Sequence, residues 1–296
     1  MYAHIVVAVD GSEEAKRAAR RAFELADRFA ATVTALHVVE HKRLRLTTSE
    51  PEKARLRALG EDILADIKAL ASDLDHPVQT AMREGTPGDE ISKFADEEGA
   101  DLLVVGRQGL TGLGERLLGG VAERVIHQSD VPVLVVPEEG MDGAWEVSRL
   151  LITTDGSENA ADATDHGIAI AERYDAAIHV LNVVDLQSAG GLFDAGGLER
   201  EFVERLEAEG QTAVDEIESS VHESAPDLDV MAEVVTQTTF EGVGAGIRAY
   251  VEENDIGLVV MGSHGRSNLR RQLLGSVAST VLRTVDVPVL VVKREE

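Results

Sequence analysis

One sequence pattern occurs twice in this chain of 296 residues. The segment HIVVAVDGSEEA, at residues 4–15, matches LLITTDGSENA at 150–160, so that Asp10 and Asp155 are offset by 145 positions. Further along, GADLLVVGRQG and SDVPVLVV match IGLVVMGSHG and VDVPVLVV at an offset of 156. The repeat therefore predicts two domains of similar size rather than one large domain.

The offsets also predict where the two copies differ in length. The second copy has 11 extra residues, the difference between the two offsets, and we assign them to the glycine-rich stretch QSAGGLFDAGG. We predict domains at 1–138 and 148–296, joined by a polar, turn-forming linker at 139–147 that contains the single Trp.

Within each copy, short β-branched runs alternate with amphipathic helical patterns. HIVVAV, TVTALHVV, DLLVVG and VPVLVV are apolar on both faces, as in strands of a covered parallel sheet. The order βαβαβαβαβ predicts a doubly wound α/β domain with a ligand site at the carboxyl ends of its strands. Ser12 and Ser157 are predicted helix N-caps, and the acidic residues after them suit the positive end of a helix dipole.

The charge of the chain excludes some classes of partner. It contains 28 basic and 54 acidic residues, a net charge of −26, which opposes binding to nucleic acid or to an anionic membrane. The basic residues are 22 Arg and only 6 Lys. Few lysines and many surface carboxylates resemble the haloarchaeal type of acidic protein, in which salt screens the self-repulsion.

The expected compartment is the cytoplasm. The chain has no Cys, no apolar run of the roughly 20 residues that span a bilayer, and no signal-peptide pattern at its start. The absence of Cys excludes disulfides, thiolate metal sites and cysteine nucleophiles.

A comb of glycines, G-x2-G-x9-G, is the strongest candidate for a binding site. It occurs at 106–119 and again at 262–275, each time after a β-run and before an amphipathic helix. Glycines expose backbone N–H groups, which together with a helix N-terminus favour an anion such as a di- or triphosphate. The alternative is that the glycines only permit a tight turn between strand and helix.

These motifs resemble the universal stress protein family, in the form of a tandem two-domain member. Residues 262–276 match the family pattern G-x2-G-x9-G-[S/T], and the DGS after the first strand and the final VPVLVV strand match as well. The resemblance implies two tandem five-stranded parallel sheets of the adenine nucleotide alpha hydrolase-like type, packed as a pseudo-dimer. It implies ATP or a related adenine nucleotide as ligand, with or without Mg²⁺; AMP and a cyclic dinucleotide stay open.

The resemblance assigns a tighter site to the second copy. Its predicted members contact the adenosine end, the ribose or the phosphates, and they are Thr153, Asp155, Val183, Met261, Gly262, Gly265, Gly275, Ser276 and Val277. Three arginines of the glycine-loop spacer, Arg266, Arg270 and Arg271, add positive charge beside the phosphates.

The first copy has a predicted weaker site. Its members are Ala8, Asp10, Val38, Gly106, Gly109, Gly119, Gly120 and Val121. Gly120 stands where the second copy has the hydroxyl of Ser276. Loss of one hydrogen bond to a charged phosphate is worth roughly 1.5–3 kcal/mol, or about 10- to 150-fold in affinity. The less basic spacer of the first copy acts in the same direction.

Three functions remain open from the sequence. The first is a nucleotide-binding regulatory module of a stress response, without dedicated catalysis and with an adenine nucleotide as partner. The second is a slow ATPase. The third is a dimerisation or scaffold protein without nucleotide, either as an internal pseudo-dimer or as a further homodimer. A P-loop is excluded because no G-x4-G-K-[ST] occurs, and GVGAG at 242–246 does not complete a dinucleotide fingerprint.

Overall fold

The chain divides into two compact units, Met1–Trp145 and Glu146–Glu296. The computed structural model describes residues 1–40, 50–71, 77–109, 117–138, 143, 145–186, 200–237, 241–265 and 274–293. Most of the predicted linker and the whole of QSAGGLFDAGG lie outside these ranges.

The first unit alternates strands with helices, as predicted. Its described elements are β1 (His4–Ala8), α1 (Glu13–Phe29), β2 (Thr32–Glu40), α2 (Glu50–Leu70), β3 (Val78–Gly85), α3 (Pro87–Glu98), β4 (Leu102–Gly106), α4 (Gly120–Gln128) and β5 (Val133–Val136). The strands lie in the order β3-β2-β1-β4-β5, and every neighbouring pair is parallel.

The second unit repeats this arrangement. Its described elements are β6 (Arg149–Thr153), α5 (Glu158–Tyr174), β7 (Ala177–Asp185), α6 (Arg200–Ser224), β8 (Val230–Gln237), α7 (Gly242–Glu253), β9 (Leu258–Gly262), α8 (Ser276–Thr284) and β10 (Val289–Val292). Its strands lie in the order β10-β9-β6-β7-β8, again all parallel. The predicted fold class, two doubly wound five-stranded sheets, is confirmed.

The central strands form the core because they are apolar on both faces. Ile5, Val6 and Val7 of β1 are fully buried, as are Leu150 and Leu151 of β6. Helix α1 adds a face of small residues, mainly alanines, that lets it pack closely on the sheet. Among the described residues, no helix is both long and apolar enough to cross a bilayer.

The strand order fixes where a ligand site forms. From β1 the chain proceeds to β2 and β3 on one side and then returns to β4 on the other side of β1. The loops after β1 and β4 therefore diverge at their carboxyl ends, the usual position of a ligand crevice in such sheets. Asp10 follows β1 and Gly106 ends β4; Asp155 and Gly262 have the same places at β6 and β9.

The two predicted N-caps differ. The Ser12 side chain accepts a hydrogen bond from the Ala15 N–H at 3.1 Å, so the first prediction is confirmed. Ser157 also occupies the N-cap position in an extended conformation, so its predicted place is confirmed, but its hydroxyl makes no capping hydrogen bond. The reason is that the Ala160 N–H already donates to the backbone carbonyl of Ser157, at 3.1 Å.

The glycines of GVGAG serve helix packing. A Cβ added at Gly244 would lie 2.6 Å from Cγ2 of Thr280 on α8, and one at Gly246 would lie 2.9 Å from Cγ1 of Val183 on β7. Both distances are too short for a real contact. These glycines therefore let α7 approach its neighbours closely.

Candidate functional site

The DGS turn after the first strand of each copy holds an aspartate in a fixed orientation. Oδ1 of Asp10 accepts a hydrogen bond from the Ser12 N–H at 2.9 Å, and Oδ1 of Asp155 accepts one from the Ser157 N–H at 3.1 Å. In the first copy, the glycine between the aspartate and the serine, Gly11, has a φ of +89°, a conformation that other residues rarely adopt. Both copies thus place a carboxylate at the end of the central strand.

The second glycine of each comb lies against that carboxylate. A Cβ at Gly109 would collide with Oδ2 of Asp10, and a Cβ at Gly265 would collide with Oδ2 of Asp155. Each comb therefore needs glycine at this position because the aspartate approaches the loop backbone. The contact joins the loop after β4 or β9 to the turn after the central strand.

The third glycine closes the loop on itself. The Gly119 N–H donates to the Arg107 carbonyl at 2.8 Å, and the Gly275 N–H donates to the Ser263 carbonyl at 3.0 Å. A Cβ would lie 3.0 Å from the same carbonyl oxygen at Gly119 and 3.1 Å at Gly275. The glycines of the comb thus satisfy contacts within the protein, and a ligand would have to occupy the space beside the closed loop.

That space is visible in the first unit as a cavity of about 650 Å³. Its volume lies within the range of about 300–1,000 Å³ that is usual for small-molecule sites. Its lining includes every residue that the sequence assigned to the first site: Ala8, Asp10, Val38, Gly106, Gly109, Gly119, Gly120 and Val121. The structure therefore brings all eight together at the carboxyl ends of β1, β2 and β4.

In the second unit the contacts of the glycine loop bring together four predicted residues, Asp155, Gly262, Gly265 and Gly275. Thr153 and Met261 are buried at the ends of β6 and β9. Ser276 and Val277 open α8, and Val183 lies on β7 against α7. The spacer with Arg266, Arg270 and Arg271 lies outside the described residues, so its charge stays a prediction.

Gly120 and Ser276 have equivalent places at the start of their helices. The preceding cap residues have nearly equal conformations, φ −67° and ψ 145° at Gly119 and φ −57° and ψ 146° at Gly275. Unlike the comb glycines, Gly120 is not required sterically, since an added Cβ would meet no atom within 4 Å. The absence of a hydroxyl there is a difference in chemistry that the fold does not impose.

In each copy, a polar side chain on the second strand donates a hydrogen bond to a backbone carbonyl directly after the first strand. Nδ1 of His37 donates to the Val9 carbonyl at 2.8 Å, and the side-chain amide of Asn182 donates to the Thr154 carbonyl at the same distance. The two side chains occupy equivalent positions, 145 residues apart. His37 is half-buried and lines the first cavity, and its hydrogen bond fixes the chain directly before Asp10.

Two residues at or beside the first cavity were not predicted from the sequence as part of the site. Glu14, expected only to suit the dipole of α1, is 7% exposed, and its Oε2 accepts a hydrogen bond from the Gln108 N–H at 2.5 Å. Burial raises the pKa of its carboxyl above the usual range. Arg107, inside the comb, is 3% exposed and lines the cavity. Only the comparison of DGSEEA with DGSENA, and of GRQG with GSHG, marks these positions in the sequence as different between copies.

Each unit is a doubly wound α/β domain in which a glycine loop closes on the aspartate of a DGS turn, and the chain contains this domain twice. The model of the universal stress protein family matches residues 1–137 and 146–293, and the chain belongs to this family.

The tandem arrangement is found in a relative over its full length. A universal stress protein of Mycolicibacterium smegmatis is 29% identical over 305 aligned positions, which cover 98% of this chain and 96% of that protein. Universal stress protein MJ0531 of Methanocaldococcus jannaschii is 39% identical over 140 positions, 46% of this chain and 82% of that protein.

A solved structure shows the same fold across the chain. The crystal structure of a universal stress protein from Archaeoglobus fulgidus has a TM-score of 0.73 with 20% sequence identity. The alignment covers 99% of this chain and 97% of that one. At this level of identity the likeness concerns the fold alone.

Proposed function

We propose that this protein binds an adenine nucleotide, ATP or a close relative, and acts as a regulatory module of a stress response without dedicated catalysis. The observation that supports the proposal most is the cavity of about 650 Å³ lined by all eight residues of the expected first site. The second unit repeats the loop closure and the aspartate turn that surround this cavity.

The backbone provides the groups suited to phosphate. The first N–H groups of an α-helix have no acceptor within the helix and carry the positive end of its dipole. In α4 and α8 these groups follow Gly119 and Gly275 directly, and neither cap uses a side chain to satisfy them. Phosphate oxygens in the cavity would accept from them, and in the second copy also from the Ser276 hydroxyl.

The aspartates provide the groups suited to the nucleoside. One oxygen of each carboxylate is held by the serine N–H of the turn. Ribose hydroxyls and an adenine amino group are hydrogen-bond donors, which a carboxylate at Asp10 or Asp155 would accept. Val38 adds apolar contact in the first cavity.

The proposal includes an asymmetry, with the second site the tighter one for ATP. Ser276 adds a hydroxyl that Gly120 cannot offer, and the spacer after Gly265 is richer in arginine than the one after Gly109. Among the described residues, no three His, Cys, Asp or Glu side chains form a metal site. The proposal therefore assigns no Mg²⁺ ligand to the protein, and Mg²⁺ would enter bound to the phosphates.

Nucleotide occupancy would act on the protein through segments that are distant in sequence. A ligand in the first cavity touches the turn at Asp10 and the helix start at Gly120 at once. Binding only to the folded state stabilises it by about 2.7 kcal/mol when the free ligand is at 100 times its Kd. Ligand concentration would thereby change the stability of the folded protein.

Isothermal titration calorimetry tests the proposal. ATP with Mg²⁺ is titrated at high salt into nucleotide-free wild type, Ser276→Ala and Ser219→Ala, the last removing a hydroxyl from the exposed face of α6. We expect Ser276→Ala to weaken the tighter site by about 10- to 150-fold, while Ser219→Ala leaves it unchanged. Absence of binding heat in wild type at millimolar ATP would refute nucleotide binding. Equal weakening by both variants would refute the role of Ser276.

A further inference from the structure

Glu14 connects helix α1 to the glycine loop of the first copy. Its Oε2 lies 2.5 Å from the backbone nitrogen of Gln108, 94 residues away in sequence. Gln108 and the adjacent Arg107 and Gly109 line the cavity. The carboxylate therefore lies directly behind a wall of the candidate phosphate region and accepts one N–H of the loop.

The same helix position has the opposite polarity in the second copy. Asn159 stands at the equivalent place, and its side-chain amide donates to the His264 carbonyl at 3.1 Å. Glu14 thus presents a charged acceptor to the loop, and Asn159 presents a neutral donor. In both copies this helix side chain bonds to the backbone of the glycine loop, and the copies differ in the charge of that side chain.

The surroundings of Glu14 balance its charge only partly. Burial has the largest effect on its carboxyl, and the Glu138 carboxylate adds to it; both raise the pKa. The hydrogen bond from the Gln108 N–H has the second-largest effect and lowers the pKa, and the Arg107 and Arg17 guanidinium groups lower it with smaller effects. Arg107 has its own counterpart in the second copy, the neutral Ser263.

The first cavity has exposed apolar side chains in its lining, beside the Arg124 side chain, which is 50% exposed. Leu59, Leu117 and Val121 line the cavity and are 51%, 50% and 41% exposed. Such apolar side chains offer contact to a base or a sugar and nothing to a phosphate.

We propose that Glu14 determines the charge of the ligand in the first site: by occupying a loop N–H with its own carboxylate, it makes this site prefer adenine ligands with little or no negative charge over triphosphates. The inference rests on the proposed function and gives the two copies different ligand classes. Asn159 leaves the second site suited to a triphosphate. A unit charge behind the loop changes triphosphate affinity by about 10- to 100-fold and adenosine affinity hardly at all.

Site-resolved NMR tests this inference. The backbone amide signal of Gly109 reports on the first loop and that of Gly265 on the second. Adenosine, ATP and inorganic tripolyphosphate are titrated into wild type and Glu14→Gln. The Gln side chain has the same length and keeps an oxygen that can accept from the Gln108 N–H.

The expected result is selective. Glu14→Gln tightens tripolyphosphate and ATP at Gly109 by about 10- to 100-fold, changes adenosine by less than twofold, and leaves the Gly265 responses as in wild type. Glu14→Asp, which keeps the charge, retains the wild-type preference. Relative to Arg107→Met alone, the double variant Glu14→Gln/Arg107→Met keeps the gain, since the gain comes from removal of the carboxylate.

Other outcomes overturn the inference. An unchanged ratio of triphosphate to adenosine affinity in Glu14→Gln would refute it, as would the same gain in Glu14→Asp. Loss of the gain in the double variant would assign it to an unbalanced Arg107 instead. If adenosine and ATP bind at neither loop in any variant while tripolyphosphate still gains at Gly109, the charge role of Glu14 stands and the proposed nucleotide function fails.

Discussion

Gly120→Ser is expected to give the first site the phosphate contact that it lacks. An added Cβ meets no atom within 4 Å, and the cap conformations of Gly119 and Gly275 nearly coincide, so the new hydroxyl would take the place that Ser276 has on α8. A hydrogen bond to a charged phosphate contributes about 1.5–3 kcal/mol, which predicts a gain of about 10- to 150-fold in ATP affinity. Replacing a helical Gly also stabilises the ligand-free protein by at most about 0.5 kcal/mol.

Calorimetry separates these two effects, since it measures affinity directly, whereas a thermal shift combines affinity with ligand-free stability. Gly120→Ala is the matched control, because it adds the Cβ and the helix propensity without the hydroxyl. Ser276→Gly is the reverse change in the second copy and is expected to weaken that site by the same factor. The reasoning fails if Gly120→Ser and Gly120→Ala have equal ATP affinity at the first site while Ser276→Gly weakens the second.

Three further outcomes are expected from the structure. Gly109→Ala forces its Cβ into the Asp10 carboxylate and is expected to lower the free energy of unfolding by about 1–3 kcal/mol in urea titrations; a loss below about 0.5 kcal/mol would contradict the contact. Burial lowers the pKa of His179, which lies 3.0 Å from the Tyr250 hydroxyl, so its contribution to stability is present above the unfolded pKa near 6.5 and is lost as pH falls through the lowered folded value. Urea unfolding at pH 7.5 and pH 5 is therefore expected to show a smaller acid-induced loss in His179→Thr, which introduces the residue found at the equivalent Thr34, and an equal loss would exclude His179 as a cause. With a net charge of −26, the thermal midpoint is expected to rise between about 0.1 M and 2 M KCl, and a flat or falling midpoint would contradict dominant self-repulsion.

The fold could be predicted from the sequence because its signals are local and occur twice. Apolar runs identify the central strands, and the order of strands and helices leaves few topologies open. The DGS turn and the glycine comb likewise follow from short segments. The pairing of Gly109 with Asp10 could not be predicted, because it joins residues 99 positions apart that only the sheet order brings together.

The contact of Glu14 with the glycine loop could not be predicted for a related reason. An acidic residue in the first turn of a helix has a sufficient local explanation in the helix dipole, and its neighbour Glu13 fits that explanation by pairing with Lys16 at 2.7 Å on the surface. Glu14 instead points inward to Gln108. Within the helix, the two glutamates differ only in their position around the helix axis. That position places Glu14 on the buried face.

Three differences between the copies lie at the glycine loop or at the start of the helix after it. The aspartate turn, the loop-closing N–H and the helix start keep the same geometry in both, so these features are set by the fold. The three differences are the pairs Glu14 and Asn159, Arg107 and Ser263, and Gly120 and Ser276. Each change alters charge or a hydroxyl while the backbone stays as it is. Under the proposed function, such changes would give the two copies different ligand preferences within one architecture.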